Sequence, residues 1–164
     1  MEVRRGGSAD AAAVIALFDE AVEWLVERGQ TGQWGSEPLS RNERMVARVE
    51  AWAAGDGLWM AEEDGRTAGA LVVGERPEHV HPVDEPERYV ELLLSSRALA
   101  GRGIGAALIE HAVALAREAG VPLLRVDCWA GAPALVEFYE RQGFARDGTF
   151  DVKGWQGQVF SMRL

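Results

Sequence analysis

The stretch from Glu91 to Gly120, ELLLSSRALAGRGIGAALIEHAVALAREAG, constrains the fold more than any other. An apolar run, Val90 to Leu94, ends at Ser95-Ser96. Gly101-Arg102-Gly103-Ile104-Gly105 follows, and then a long amphipathic segment, Ala106 to Ala119. Strand, glycine loop and helix in that order form a backbone suited to holding a phosphate. Glycines let the loop turn tightly and expose successive N–H groups, and the helix start adds a partial positive charge. The rest of the sequence has to say what carries the phosphate.

Composition narrows the choice. With 164 residues the chain reads as one domain, 1–164, large enough to bury a core without staples. A 48% apolar content and a mean hydropathy of −0.11 suit a globular protein. The single cysteine, Cys128, rules out a disulfide framework and fits a reducing cytoplasm. No apolar run is long enough to span a membrane. A net charge of −9 argues against nucleic-acid binding, which needs a basic surface. It does not argue against a phosphate site built from backbone amides. An acidic surface favours a cationic or amine-bearing substrate.

Read in order, Met1 to Arg5 alternates as a short strand. Ser8 or Asp10 caps a helix whose inward face is Val14, Leu17, Phe18, Ala21 and Leu25, with Asp19, Glu20, Glu23 and Glu27 on the other face. Gln30 to Ser40 is a loop. A second helix starts at Ser40 or Asn42 and turns Met45, Val46, Val49, Trp52 and Ala53 inward. Leu58 to Glu62 and Thr67 to Val73 form a hairpin around Glu63-Asp64-Gly65. Gly69 marks a bulge or a close backbone approach. Glu75 to Glu87 is a long loop with three prolines, two histidines and five acids. Tyr89 to Ser95 is the central strand, and Gly103 to Ala119 the main helix, with Ile104, Ala107, Leu108, Ala112 and Leu115 inward. Leu123 to Cys128 is a strand and Pro133 to Gln142 a helix. Phe144 to Val152 and Gln158 to Leu164 close the chain as a strand pair. This order predicts a mixed α/β (α+β) domain: a central twisted sheet of six to seven strands with about four helices. The strand–helix–strand unit from Tyr89 to Cys128 is expected to be parallel.

Three phosphate readings compete. A nucleotide triphosphatase loop needs Gly-Lys-Ser/Thr, which is absent. Gly101, Gly103 and Ala106 fit a dinucleotide fingerprint, with Asp127 as the ribose-binding acid. That fingerprint puts its first glycine at the strand end, whereas Ser95 to Ala100 intervene here, and little chain follows Asp127. The third reading comes from two motifs in order. The six-residue spacer, Gly101-Arg102-Gly103-Ile104-Gly105 and the helix after it come first. Phe138-Tyr139 with Gly143-Phe144 comes second. Together they resemble the GNAT superfamily of acetyl-CoA-dependent N-acetyltransferases, and the element order resembles it over the whole chain. Two positions depart from the family pattern. Ala100 stands where a Gln or Arg is usual, which leaves Arg102 to compensate, and Ala132 stands where an Asn is frequent.

The resemblance implies a GNAT fold and an N-acetyltransferase that moves an acetyl group from acetyl-CoA to a primary amine by direct attack. By the same resemblance, Gly101, Arg102, Gly103, Ile104, Gly105 and Ala106 hold the CoA pyrophosphate. The backbone of Leu93, Leu94 and Ser95 pairs with the pantetheine amides where the strand splays from Leu123–Cys128. Tyr139 is the general acid for the thiolate, and Glu91 resembles the base that some members use to deprotonate the amine. Trp34 and Glu37 would wall the acceptor pocket, where an aromatic and a carboxylate suit an ammonium group. The bland alternatives are a plain turn, a core strand, a core tyrosine, a strand-end charge and a core-covering tryptophan.

Cys128 reads as a buried structural thiol, and His111 as a surface histidine. His79 and His81 with Glu78, Asp84 and Glu85 form an unspecific H-x-H cluster, so no metal is expected. The acids of that loop read as steering for a cationic acceptor. The acceptor is a small-molecule amine or a peptide. Neither a nucleic acid nor a membrane is expected as partner, and a homodimer through the C-terminal strands is open. The alternatives are a non-catalytic acyl-CoA sensor on the same fold and an NAD(P)-binding reductase.

Overall fold

Short alternating segments and two amphipathic runs build the first part of the chain; the first helix lacks the side-chain cap expected from Ser8 or Asp10, because the Asp10 carboxylate accepts from the Gly7 N–H and from Arg4 instead. In the computed structural model, which describes all 164 residues, seven strands and four helices form. The strands are β1 (Glu2–Arg5), β2 (Leu58–Glu63), β3 (Arg66–Gly74), β4 (Glu87–Ser95), β5 (Leu123–Trp129), β6 (Ala145–Val152) and β7 (Trp155–Arg163). The helices are α1 (Ala11–Glu27), α2 (Glu43–Ala54), α3 (Ile104–Glu118) and α4 (Pro133–Arg141). The hydrogen-bonded strand order is β1-β2-β3-β4-β5-β7-β6, and β4 pairs with β5 in parallel as expected. Antiparallel pairing dominates elsewhere, which is not the sheet of a dinucleotide-binding fold. No helix is long and apolar enough to cross a membrane. The residues group into two compact units, Met1–Val72 with Leu92–Leu108, and Val73–Glu91 with Ile109–Leu164.

In the first unit, β1, β2 and β3 form an antiparallel meander. Asp64 (φ 51°) and Gly65 (φ 74°) make the β2–β3 turn, the positive-φ pair that matches strand twist. The register shifts between Ala61 and Glu62, opposite Gly69 and Thr67, so the expected bulge is present. The close approach at Gly69 is present too. A Cβ there would lie 2.7 Å from the Leu94 carbonyl oxygen and 2.9 Å from Leu108 Cδ1. Val14, Leu17, Phe18 and Val22 of α1, Val49 and Ala53 of α2, and Leu92 and Leu94 of β4 belong to one buried cluster. Val22 takes the buried place expected for Leu25, which is half-buried. Asn42 caps α2, its Oδ1 accepting from the Arg44 and Met45 N–H groups at 3.1 and 3.2 Å.

In the second unit, β5, β7 and β6 pair antiparallel beside the parallel β4–β5 ladder. The β6–β7 turn is tighter than the sequence suggests. Lys153 (φ 51°) and Gly154 (φ 87°) make a two-residue turn, so β7 starts at Trp155 rather than Gln158. Lys is a poor residue for positive φ, which is why its turn role is not evident from sequence. Segment 75–86 is a loop, but a pinned one. Val80 is 1% exposed and packs in a cluster with Tyr89 and Val159. His79 stacks on Phe150 with centroids 4.6 Å apart, and Glu85 pairs with Arg163 at 2.5 Å.

On α3 the buried residues are Ile104, Leu108, Ile109, Ala112 and Ala116. Ala107 and Leu115, expected inward, are half-buried, because the buried stripe turns toward Ile109. His111 is half-buried rather than on the surface, and desolvation lowers its pKa.

Candidate active site

The loop residues come first. After β4 the chain makes a single 3-10 turn, Arg97–Leu99, and reaches Gly101 (φ 81°) and Gly103 (φ 74°) before α3 begins at Ile104. Both glycines have backbone conformations that an L side chain rarely adopts. A Cβ on either would meet nothing within 4 Å, so no packing demands the glycines. Their N–H groups sit in an exposed turn that leads into a helix start, the arrangement that receives phosphate oxygens. Arg102 is not free to compensate for Ala100 in the way expected from sequence. Its Nη1 donates to Glu63 Oε2 at 3.1 Å.

The lead-in to this loop is held by a residue that sequence reasoning placed on the solvent face. Glu20 Oε1 accepts from Ser96 Oγ at 3.1 Å, from the Arg97 N–H, and from the Ala98 N–H at 3.0 Å. Its neighbour Asp19 accepts from the Ser40 N–H at 3.0 Å. Main-chain caps of this kind leave no signature in hydrophobic periodicity. Leu94 is buried, and Leu93 and Ser95 are half-buried, along β4.

Two contiguous hollows lie on the same unit. One, about 370 Å³, is lined by Trp34, Glu37, Leu39, Arg41 and Asn42 among others. The other, about 520 Å³, shares Ser36, Pro38 and Arg41 with it and adds Asp19, Glu23 and Glu27 of α1. Trp34 serves the core as well: its ring meets Phe18 edge-on at 5.1 Å.

The second unit carries the candidate acid and base. Tyr139 is 5% exposed on α4, its ring centroid 5.1 Å from Phe138, 5.8 Å from Phe144 and 5.4 Å from Phe160. Burial, with Cys128 and Asp127 nearby, pushes the phenol pKa well above its ordinary value. Glu91 is half-buried between Val90 and Leu92, and its carboxylate lies against Gly74. A Cβ at Gly74 would overlap Glu91 Oε2. Strand alternation puts Tyr89 on the side of β4 that Glu91 shares, and Tyr89 is in register with Arg125. The Tyr89 hydroxyl donates to Asp127 Oδ2. Asp127, a ribose ligand under the dinucleotide reading, is thus a partner of Tyr89. Burial pushes the Cys128 thiol up to about 12, with Asp127 adding to the shift, which agrees with a structural role.

Arg125 was missed. Its side chain has 0% exposure, and it reaches Glu87 with two donors, the His81 carbonyl at 2.9 Å and His81 Nε2 at 3.2 Å. A guanidinium has no lone pair, so His81 Nε2 is the acceptor there. The available signal was a lone charge inside the run Leu123–Val126. Glu85 and Glu87, read from sequence as steering charges, are instead consumed in pairs with Arg163 and Arg125.

In this chain a turn of glycine amides enters a helix shortly after a β-strand of a mostly antiparallel sheet. The family model described as Acetyltransferase (GNAT) family matches residues 19–144, and the chain belongs to that family. It is an acetyl-CoA-dependent acyltransferase. It is 26% identical over 157 residues to the N-acetyltransferase YesJ of Bacillus subtilis (strain 168), itself uncharacterized, covering 89% of this chain and 82% of that protein. Among solved structures it is similar to yncA from Salmonella typhimurium, solved with its cofactor acetyl-CoA. The TM-score is 0.70, with 20% identity and coverage of 100% of this chain and 94% of that one. It is also similar in fold to a ribosomal-protein-alanine N-acetyltransferase from Brucella melitensis, with a TM-score of 0.68, 21% identity and full coverage of both chains.

Proposed function

We propose that this enzyme moves the acetyl group of acetyl-CoA onto the primary amine of a small cationic acceptor by direct attack. The observation that carries the donor side is the glycine turn, with positive φ at Gly101 and Gly103, open space over both, and α3 starting immediately after. These features fit a pyrophosphate held by the amides of Gly101 to Ala106. Because Arg102 is paired with Glu63, the backbone does most of this holding. The main chain of Leu93 to Ser95 receives the pantetheine amides as an added strand.

The acceptor side is supported by the two hollows. Trp34 offers an aromatic face, while Glu37, Asp19, Glu23 and Glu27 offer negative charge for an ammonium group. Glu91 takes a proton from that group, directly or through water, since a protonated amine has no lone pair to attack with. The amine nitrogen then bonds to the acetyl carbon. As the carbon–sulfur bond breaks, Tyr139 gives its proton to the departing thiolate. A phenol is protonated at neutral pH, so the hydroxyl carries the proton that the thiolate takes up. A protonated, buried Cys128 supports direct transfer over an acyl-cysteine route.

The test is a thermal-shift titration with acetyl-CoA and with NADH, followed by an amine panel scored by thiol release. Stabilisation by acetyl-CoA and release with cationic amines are expected. Release only with uncharged or anionic acceptors would overturn the acceptor assignment.

A further inference from the structure

Asp19 and Glu20 are adjacent on α1, and each caps the main chain of a different loop. Asp19 holds Ser40, next to the hollow-lining residues Pro38, Leu39 and Arg41. Glu20 holds Ser96, Arg97 and Ala98 on the way into the glycine turn. One turn further along α1, Trp24 stacks on the Arg97 guanidinium at 3.9 Å. The 3-10 turn Arg97–Leu99 has no side-chain cap of its own. Its first N–H groups would otherwise lack partners, and a single carboxylate oxygen from another helix supplies them. Bonds to a charged acceptor are the stronger kind.

Within the glycine turn, Arg102 reaches Glu63 at 3.1 Å, but through an exposed side-chain pair, and a Cβ at Gly101 or Gly103 would meet nothing within 4 Å. Glycine has the greatest backbone freedom, so the position of these amides is set mainly from the two ends of the turn. Downstream, Ile104 is 3% exposed and anchors the start of α3. Upstream, the anchor is Glu20. We propose that Glu20 is a positioning residue for the donor loop, a remote cap that fixes where the glycine turn begins and so preorganises its amides for the acyl-CoA pyrophosphate. This rests on the reading of Gly101 to Ala106 as the donor site.

The experiment is calorimetric titration of acetyl-CoA into the full chain, at a temperature where circular dichroism shows every variant folded. Glu20→Ala is expected to weaken acetyl-CoA binding about tenfold, since it removes a preorganising cap without touching the ligand. Glu20→Gln keeps an Oε1 acceptor and should recover most of that loss. Asp19→Ala removes a main-chain cap from the same helix turn and should leave the donor Kd within about twofold, because the two loops are capped separately. A merely structural Glu20 would lower the melting temperature of Glu20→Ala and leave its Kd at the wild-type value, which overturns the proposal. Failure of the folded Glu20→Gln variant to recover affinity also overturns it. Should Glu20→Ala not fold, Ser96→Ala deletes one of the three donors and is expected to weaken binding about threefold; an unchanged Kd there counts against the proposal. If wild type itself does not bind acetyl-CoA, the donor-site reading falls and takes this inference with it.

Discussion

Arg125 and Glu87 form a two-point ion pair in the second unit, Nε to Oε2 at 2.5 Å and Nη2 to Oε1 at 3.0 Å, with the arginine side chain fully buried. Removing one partner of such a pair strands a buried charge. Glu87→Ala is therefore expected to lower unfolding free energy by about 3–5 kcal/mol in urea titration. Arg125→Met, which removes the charge and keeps the volume, should cost clearly less. The solvent-screened Glu85–Arg163 pair is the contrast, and Glu85→Ala should cost far less than Glu87→Ala. Equal losses for Glu87→Ala and Glu85→Ala would contradict this account.

Tyr139→Phe removes one oxygen from a packed aromatic cluster and leaves its rings in place. With an acceptor in hand, kcat is expected to fall about 10²-fold, with the melting temperature little changed. An unchanged kcat rules out Tyr139 as the acid. Cys128→Ala should keep kcat near wild type. The native Cys128 thiol should react with a thiol reagent at pH 8 only as fast as the chain opens, because burial holds its pKa up at about 12.

Asp10 is held below the usual carboxylate range, first by its hydrogen bonds from Arg4. A depressed folded pKa contributes stability that is present above the unfolded pKa and is lost as pH falls through the folded value. The loss is thus expected below about pH 4. Asp10→Asn should lower stability at pH 7 and flatten the acid limb measured by urea titration between pH 5 and pH 2. An unchanged acid limb would show that Asp10 carries none of it.

Gly74→Ala tests Glu91 without removing it. The added Cβ overlaps the Glu91 carboxylate, the flexible end of a side chain, which can move aside. Stability should change by about 1 kcal/mol or less, while acyl transfer at saturating acetyl-CoA drops and the donor Kd holds. If Gly74→Ala and Glu91→Gln both leave turnover intact, Glu91 is not the base.

Much of the fold was legible because it rests on local rules. The Asp64-Gly65 turn, the Asn42 cap, the Gly69 approach and the helix after Gly103 each follow from a few neighbouring residues. The Lys153-Gly154 turn was hidden because lysine seldom takes positive φ. Glu20 was hidden because its partners lie 76 to 78 residues away in the sequence. Its spacing on α1 says only that it avoids the deepest core.

By itself, the sequence determined the order of elements, the glycine turn before α3 and the two motifs that resemble the family. These are encoded by residues close to one another, through φ preference, capping and hydrophobic period. Only the tertiary structure decided what the polar side chains do. It tied Arg102 to Glu63, turned Glu87 toward Arg125, set Tyr89 on Asp127 and placed Glu20 against the main chain that leads into the glycine turn. The physical reason is that a charge in water and a charge against a distant amide look alike in one dimension. Their difference lies in long-range contacts that form only when the chain folds.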